Sequence, residues 1–238
     1  TDSDLTTMLS GGVLMDAVAL DVLAERGLGH LTGVHLAKRL DNGLRERFTD
    51  DMLNGTASDE VRDARIEFWG DATGMGDVLE PLSADVRVLT TIEDYFSRPV
   101  GPGMTAFENE LGGRVVVMGY APWIFLHSIG KRLQLQNVAD WISRDSLPVR
   151  VEETVPIVSV VRLSADRKRG AVMLLNAGMD PIPEATVHLR MQSEQVRCMA
   201  PGRPCTALPA EPVADGHLVA LRNIEPWDMR MVLVNTTS

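Results

Sequence analysis

The sequence predicts an α/β layer followed by a small antiparallel β-sandwich, and three stretches carry that prediction. Val115-Val116-Val117-Met118 is an unbroken apolar run bounded by Gly112-Gly113 and Gly119. Such a run reads as a short strand buried on both faces, as in a parallel or mixed sheet covered by helices. From Ile124 to Ile142, Phe125, Ile129, Leu133, Val138, Trp141 and Ile142 recur at helical spacing, with Lys131, Arg132, Gln134 and Asp140 between them. Past Arg150 the helical period vanishes and short apolar runs alternate with turn signals.

Taken in order, Ser3 to Leu9 can form a short helix that Ser10-Gly11-Gly12 breaks. Val13-Leu14-Met15 is a brief apolar run, and Asp16 can cap a helix over Ala17 to Arg26 that stops at Gly27. Gly11-Gly12 matches neither G-x-G-x-x-G nor the P-loop, and reads as plain backbone turning. Leu31 to Leu36, Leu44 to Phe48 and Arg65 to Trp69 read as strands, with Asn42-Gly43 as a hairpin signal between the first two. Gly70 to Gly76 is a glycine-rich loop, Ala84 to Ile92 a strand, and Met104 to Leu111 a further strand before the central apolar run. Pro122 suits the start of the long helix, and Pro148 bars its continuation. Lys131 falls on the polar side of that helix, and Trp141 on the apolar side, beneath the sheet that holds Val115 and Val117. Then come Ile157 to Leu163, Ala171 to Leu175, Ala185 to Met191, Gln195 to Met199, His217 to Arg222 and Met229 to Val234 as strands of the sandwich. The composition shift sets two domains, residues 1–150 and 151–238.

The 238 residues are 45% hydrophobic and 24% charged, which suits a globular protein, and the net charge of −10 argues against nucleic acid and anionic membrane as partners. The start, Thr1-Asp2-Ser3-Asp4, is acidic and polar and does not read as a signal peptide. Cys198 and Cys205 are the sole cysteines, and free thiols in a cytoplasmic protein are the expectation. Two thiols with no nearby His make half a zinc site at most, so no metal or other cofactor is expected.

No catalytic residue can be assigned. No Cys precedes Cys198, no G-x-S-x-G occurs, and His127 beside Ser128 would point away from it on a helix. Glu108 and Glu110, or Glu93 and Asp94, could be imagined as a glycosidase pair, but among 33 acidic residues near neighbours arise by chance. His30 and His35 lack a carboxylate at metal-ligand spacing. Among the aromatics, Trp69, Tyr120 and Trp123 stand as tentative sugar or interface contacts, Trp69 because it borders the glycine-rich loop. Trp227, after Pro226, reads as a plug of the sandwich core.

Gly11-Gly12-Val13-Leu14-Met15-Asp16 and Ala24 to Val34 resemble the non-catalytic amidotransferase-like domain behind the catalytic barrel of β-galactosidase-type glycoside hydrolases, family forty-two and its relatives. Gly113 to Tyr120 with Pro122-Trp123 resembles that domain's last strand, and Lys131-Arg132 through Arg144, ending Leu147-Pro148-Val149, its closing helix. The resemblance implies a partial flavodoxin or class I amidotransferase-like sheet, lacking its leading strands before Thr1, and then the small β-domain that ends such enzymes. It implies a C-terminal accessory fragment whose partners are the N-terminal catalytic barrel of the same polypeptide, further copies of itself, and carbohydrate. It implies roles in subunit assembly and in shaping the active-site rim. In that family the catalytic glutamates belong to the barrel, so none carries over. Two other readings stand beside it: a free-standing carbohydrate-binding or interaction module, which wants an exposed aromatic strip, and a small enzyme of another type, which wants a pocket of convergent titratable groups.

Overall fold

The computed structural model describes residues 1–40, 45–63, 66–68, 71–73, 76–94, 96–120, 128–166, 168–193 and 195–235. The chain divides into two compact units, Thr1–Asp145 and Ser146–Ser238.

The first unit runs α1 (Asp2–Leu9), β1 (Gly12–Asp16), α2 (Ala17–Glu25), β2 (Val34–Leu40), β3 (Arg45–Phe48), β4 (Val61–Asp63), β5 (Ile66–Phe68), β6 (Asp71–Thr73), β7 (Gly76–Pro81), β8 (Arg87–Glu93), β9 (Pro99–Glu108), β10 (Arg114–Met118) and α3 (Ile129–Ile142). Short 3₁₀ turns cover Gly29–Thr32 and Met52–Ala57. The main sheet has the order β1-β10-β9-β8-β3-β4. Among its strands β1 and β10 alone pair in parallel, and every other neighbour is antiparallel.

This overturns the expected flavodoxin-like α/β sheet: the chain is dominated by strands in several sheets, and most of the pairing is antiparallel. Connection length is the physical reason. A parallel step needs a crossover of a dozen or more residues, whereas 94–98 joins β8 to β9 and 109–113 joins β9 to β10. The expected Asn42-Gly43 hairpin is also not formed between its flanking strands: β2 pairs with β7, and β3 with β4 and β8. The turn residues themselves lie outside the described residues.

β10 divides the core by its period of two. Val115 and Val117 face Leu9, Leu20, Leu23 and Leu31, beneath α1 and α2. Val116 and Met118 face Leu53, Leu89, Met104 and Val138, beneath α3. Trp141 packs at the margin of this second cluster, with the Arg87 and Arg114 guanidiniums 5.7 and 5.1 Å from its ring centre. It therefore meets the Val116 face of the sheet rather than the Val115 face. Gly12 explains how closely α3 approaches β1: a Cβ there would lie 2.1 Å from the Ile142 carbonyl oxygen.

The second unit holds β11 (Val149–Val151), β12 (Ile157–Leu163), β13 (Arg169–Asn176), β14 (Ile182–Leu189), β15 (Gln195–Met199), β16 (Thr206–Ala207), β17 (Ala210–Val213), β18 (Gly216–Ile224) and β19 (Met229–Asn235). A four-stranded sheet, β11-β14-β18-β17, and a five-stranded one, β12-β13-β19-β15-β16, enclose Val172, Leu174, Val187, Leu189, Val219 and Val232. This is a small sandwich of two antiparallel sheets. Strand alternation supplies its core directly: on β13 and β19 every second residue is buried. The short strands β11, β16 and β17 are beyond the reach of an apolar-run reading, being two to four residues long.

Candidate functional site

The densest cluster of polar chemistry lies inside the first unit, around Lys131. On β3 the alternation of Arg45-Glu46-Arg47-Phe48 turns Glu46 inward beside Phe48. On α3, Lys131, Gln134 and Val138 share one buried stripe at helical spacing, while Ile129 is 64% exposed. Ser128 caps that helix, its side chain accepting from the Lys131 N–H at 3.2 Å. The sequence expectation for this helix fails over its first turns, where Lys131 and Gln134 are fully buried and Ile129 faces outward, while Val138 is buried and Trp141 and Ile142 pack against the core as expected. The expected helix start at Pro122 falls in 121–127, outside the described residues.

The Lys131 ammonium donates to Glu46 Oε1 at 3.0 Å, to Gln134 Oε1 and to the Tyr120 hydroxyl. Tyr120 donates in turn to Glu46 Oε1. Arg62 reaches the other Glu46 oxygen, and its guanidinium lies 5.2 Å from the Tyr120 ring centre. Gln134 Nε2 donates to Asn54 Oδ1 at 2.6 Å, and Asn54 Nδ2 donates to the carbonyls of Thr49 and Leu89 at 2.7 and 2.9 Å. The network links β3, the Met52–Ala57 turn, the end of β10 and α3.

Burial pushes the Lys131 amine down to about 8, with the Glu46 carboxylate opposing and Arg62 adding to the fall. Burial pushes the Glu46 carboxyl up, but Lys131 and then Arg62, together with hydrogen bonds, outweigh it and hold the group below its ordinary value. A depressed lysine beside a carboxylate is the signature of many catalytic sites. Chemistry also needs access, and here both side chains have no exposed surface. The cluster is a sealed, mutually satisfied ion pair that ties distant elements together.

The other sequence candidates are dispersed. Tyr120 is buried in this network and is not presented as a surface contact. Trp69 and Trp123 lie outside the described residues. Glu108 is exposed and held by Arg114 at 3.1 Å and Arg144 at 3.2 Å, which keep its carboxyl below the usual range. A glycosidase acid needs the opposite shift. Glu110 lies 3.9 Å from His30, and His35 2.9 Å from Glu80, as surface pairs. Glu93 is buried against Arg45 and Arg47. Asp77 is pushed above its ordinary value by burial, with Arg39 opposing and Asp21 and Asp16 adding. Asp16 is occupied as the cap of α2 and Asp21 is paired with Arg39, so no free carboxylate partner stands ready.

In the sandwich, His188 lies 2.9 Å from Asp215 and 3.6 Å from Glu152, an ion-pair cluster without a nucleophile. A cleft of about 240 Å³ bordered by Gln195, Leu208 and His217 is smaller than ordinary ligand pockets. Cys198 and Cys205 are both free thiols, and burial pushes Cys198 up. Trp227 is 62% exposed and does not plug the core as expected. Among the described residues no group of His, Cys, Asp and Glu could hold a metal ion, and no helix is long and apolar enough to cross a membrane.

No protein-family profile matches the chain, and no curated protein matches it. Among solved structures it is similar to α-L-fucosidase isoenzyme 2 from Paenibacillus thiaminolyticus, with a TM-score of 0.56 at 14% identity over 92% of this chain. β-Galactosidase from Bacillus circulans sp. alkalophilus follows with a TM-score of 0.49 at 10% identity over 87% of this chain. The chain spans 38% of the fucosidase and 25% of the galactosidase. The fold is therefore one found in part of a glycoside hydrolase; nothing in the likeness singles out family forty-two.

Proposed function

We propose that this chain is a non-catalytic accessory region of a glycoside hydrolase, serving subunit assembly and shaping the rim of an active site carried by a catalytic barrel on the same polypeptide. The observation that carries the reading is the asymmetry of the match: 92% of this chain corresponds to 38% of the α-L-fucosidase. The carboxylates support it. Glu108 and Glu93 are clamped by arginines, Glu46 is sealed, and no opposed acid and nucleophile pair forms among the described residues.

Incubation of the purified chain with 4-nitrophenyl α-L-fucoside and β-D-galactoside tests this. Release of nitrophenol should not exceed the buffer rate. Turnover that disappears in Asp77→Asn or Glu108→Gln would make the chain a glycosidase in its own right and end the accessory reading.

A further inference from the structure

The two outer faces of the sandwich differ in kind. On the four-stranded sheet the outward positions of β14 and β18 include Glu184, His188 and Arg222, a solvated face. On the five-stranded sheet two neighbouring rows of outward positions are apolar. Val160, Met173, Met231 and Met199 stand side by side in register across β12, β13, β19 and β15. Val158, Leu175 and Met229 form the next row. Val158 is 50% and Val160 42% exposed, and β12 is an edge strand with one side unpaired.

The end of this face is also built. Asn176 is fully buried at the end of β13, and its Nδ2 donates to the carbonyls of Asp180 and Glu225 at 2.9 and 3.2 Å. It thereby fastens together the two loops that carry Met179, 78% exposed, and Trp227. Trp227 is held at φ +61°, its N–H donating to the Asn176 carbonyl at 2.9 Å. A tryptophan kept in the left-handed region and out in solvent is costly twice over.

Charge points to the occupant. With strands about 4.8 Å apart and same-face residues about 6.7 Å apart, the two apolar rows cover roughly 230 Å². That is about a quarter of the roughly 800 Å² per partner that a stable complex buries, so the exposed Met179 and Trp227 and the charged ends of the face have to share in the contact. Arg162 and Arg197 flank the apolar rows at one end, and neither is ion-paired among the described residues. Asp180 and Glu225 stand exposed at the other end, in the loops fastened by Asn176. A face with opposite charges at its two ends complements itself when a second copy is laid on it with strand directions reversed.

We propose that this face joins two copies of the chain in a two-fold dimer, Arg162 and Arg197 of each copy meeting Asp180 and Glu225 of the other. The proposal rests on the assembly part of the accessory reading and gives it a surface.

Sedimentation equilibrium of the full chain is the test, with circular dichroism to verify that each variant is folded. The parent should be dimeric at about 100 µM. Arg162→Glu with Arg197→Glu, and separately Asp180→Lys with Glu225→Lys, should each weaken self-association by about tenfold or more. An equimolar mixture of the two reversed variants should restore the dimer, since each then offers the other opposite charge at both ends. A parent that stays monomeric would overturn the proposal, as would a dimer indifferent to charge reversal. Either result leaves the nitrophenyl glycoside assay unaffected, so the two ideas fail separately.

Discussion

Lys131→Ala should cost the first unit about 3–5 kcal/mol, because it leaves the Glu46 carboxylate buried without its main counter-ion. The whole stability of a domain is about 5–15 kcal/mol, so the variant should melt at far lower urea or fail to fold. The loss spreads beyond one bond. Without the ammonium, the Tyr120 hydroxyl and Gln134 Oε1 each lose a donor in a site where Gln134 and Glu46 are fully buried. Replacing the charges as a pair, Lys131→Met with Glu46→Gln, removes the uncompensated ion and should recover most of the loss. Lys38→Ala, at an exposed position, should stay within about 0.5 kcal/mol of the parent. Urea melts of the four proteins decide it. If Lys131→Ala melts with Lys38→Ala, the pair contributes nothing to the fold.

Gly113→Ala should be the next most damaging change, at about 3 kcal/mol. A Cβ at Gly113 would lie 1.8 Å from the Leu9 carbonyl oxygen and 2.8 Å from its carbon, both backbone atoms that cannot swing away. Asn109 fixes the same junction: its Nδ2 donates to the Leu9 and Leu31 carbonyls at 2.9 and 3.1 Å, and its Oδ1 accepts from the Gly113 N–H at 2.9 Å. Relief of the clash therefore has to break the turn between β9 and β10 or push away the end of α1. Gly11→Ala is the control within the same region, since its Cβ would meet Met8 O at an ordinary 3.4 Å. Thermal melts should separate the two variants widely, and similar melting temperatures would mean that the junction yields more easily than its geometry implies.

Much of the sandwich was legible in the sequence, because an antiparallel strand with one buried face advertises itself by alternation. Ile157–Leu163 and Gln195–Met199 are strands at their predicted bounds. The first unit was harder. Its parallel pair, β1 with β10, is the feature that suggests an α/β sheet, and the apolar run of β10 looks the same whether its neighbours run parallel or antiparallel. The brief connections 94–98 and 109–113 held the information that decides it. The polar network was misread for a different reason. Residue type alone put Lys131 and Gln134 on the solvent side, yet their spacing with Val138 already traces one stripe. What sequence cannot supply is Glu46, which lies 85 positions away and makes burial of the lysine tolerable. Trp227 was misplaced because a large aromatic after a proline near the last strand suggests core, and the left-handed backbone that swings it outward leaves no mark in composition.

Lys131, with its amine pushed down to about 8, is a sealed structural device and not a reactive centre. Reductive methylation measures this directly, with formaldehyde and borohydride at pH 8 followed by peptide mass spectrometry. The chain has three lysines, Lys38, Lys131 and Lys168, and the first and last are exposed. An amine with a pKa of about 8 that solvent could reach would react fastest of the three. In the folded protein Lys38 and Lys168 should be fully dimethylated while Lys131 stays unmodified, and Lys131 should react once urea unfolds the chain. Methylation of Lys131 ahead of the other two in the native protein would contradict the account and identify an open, functional lysine.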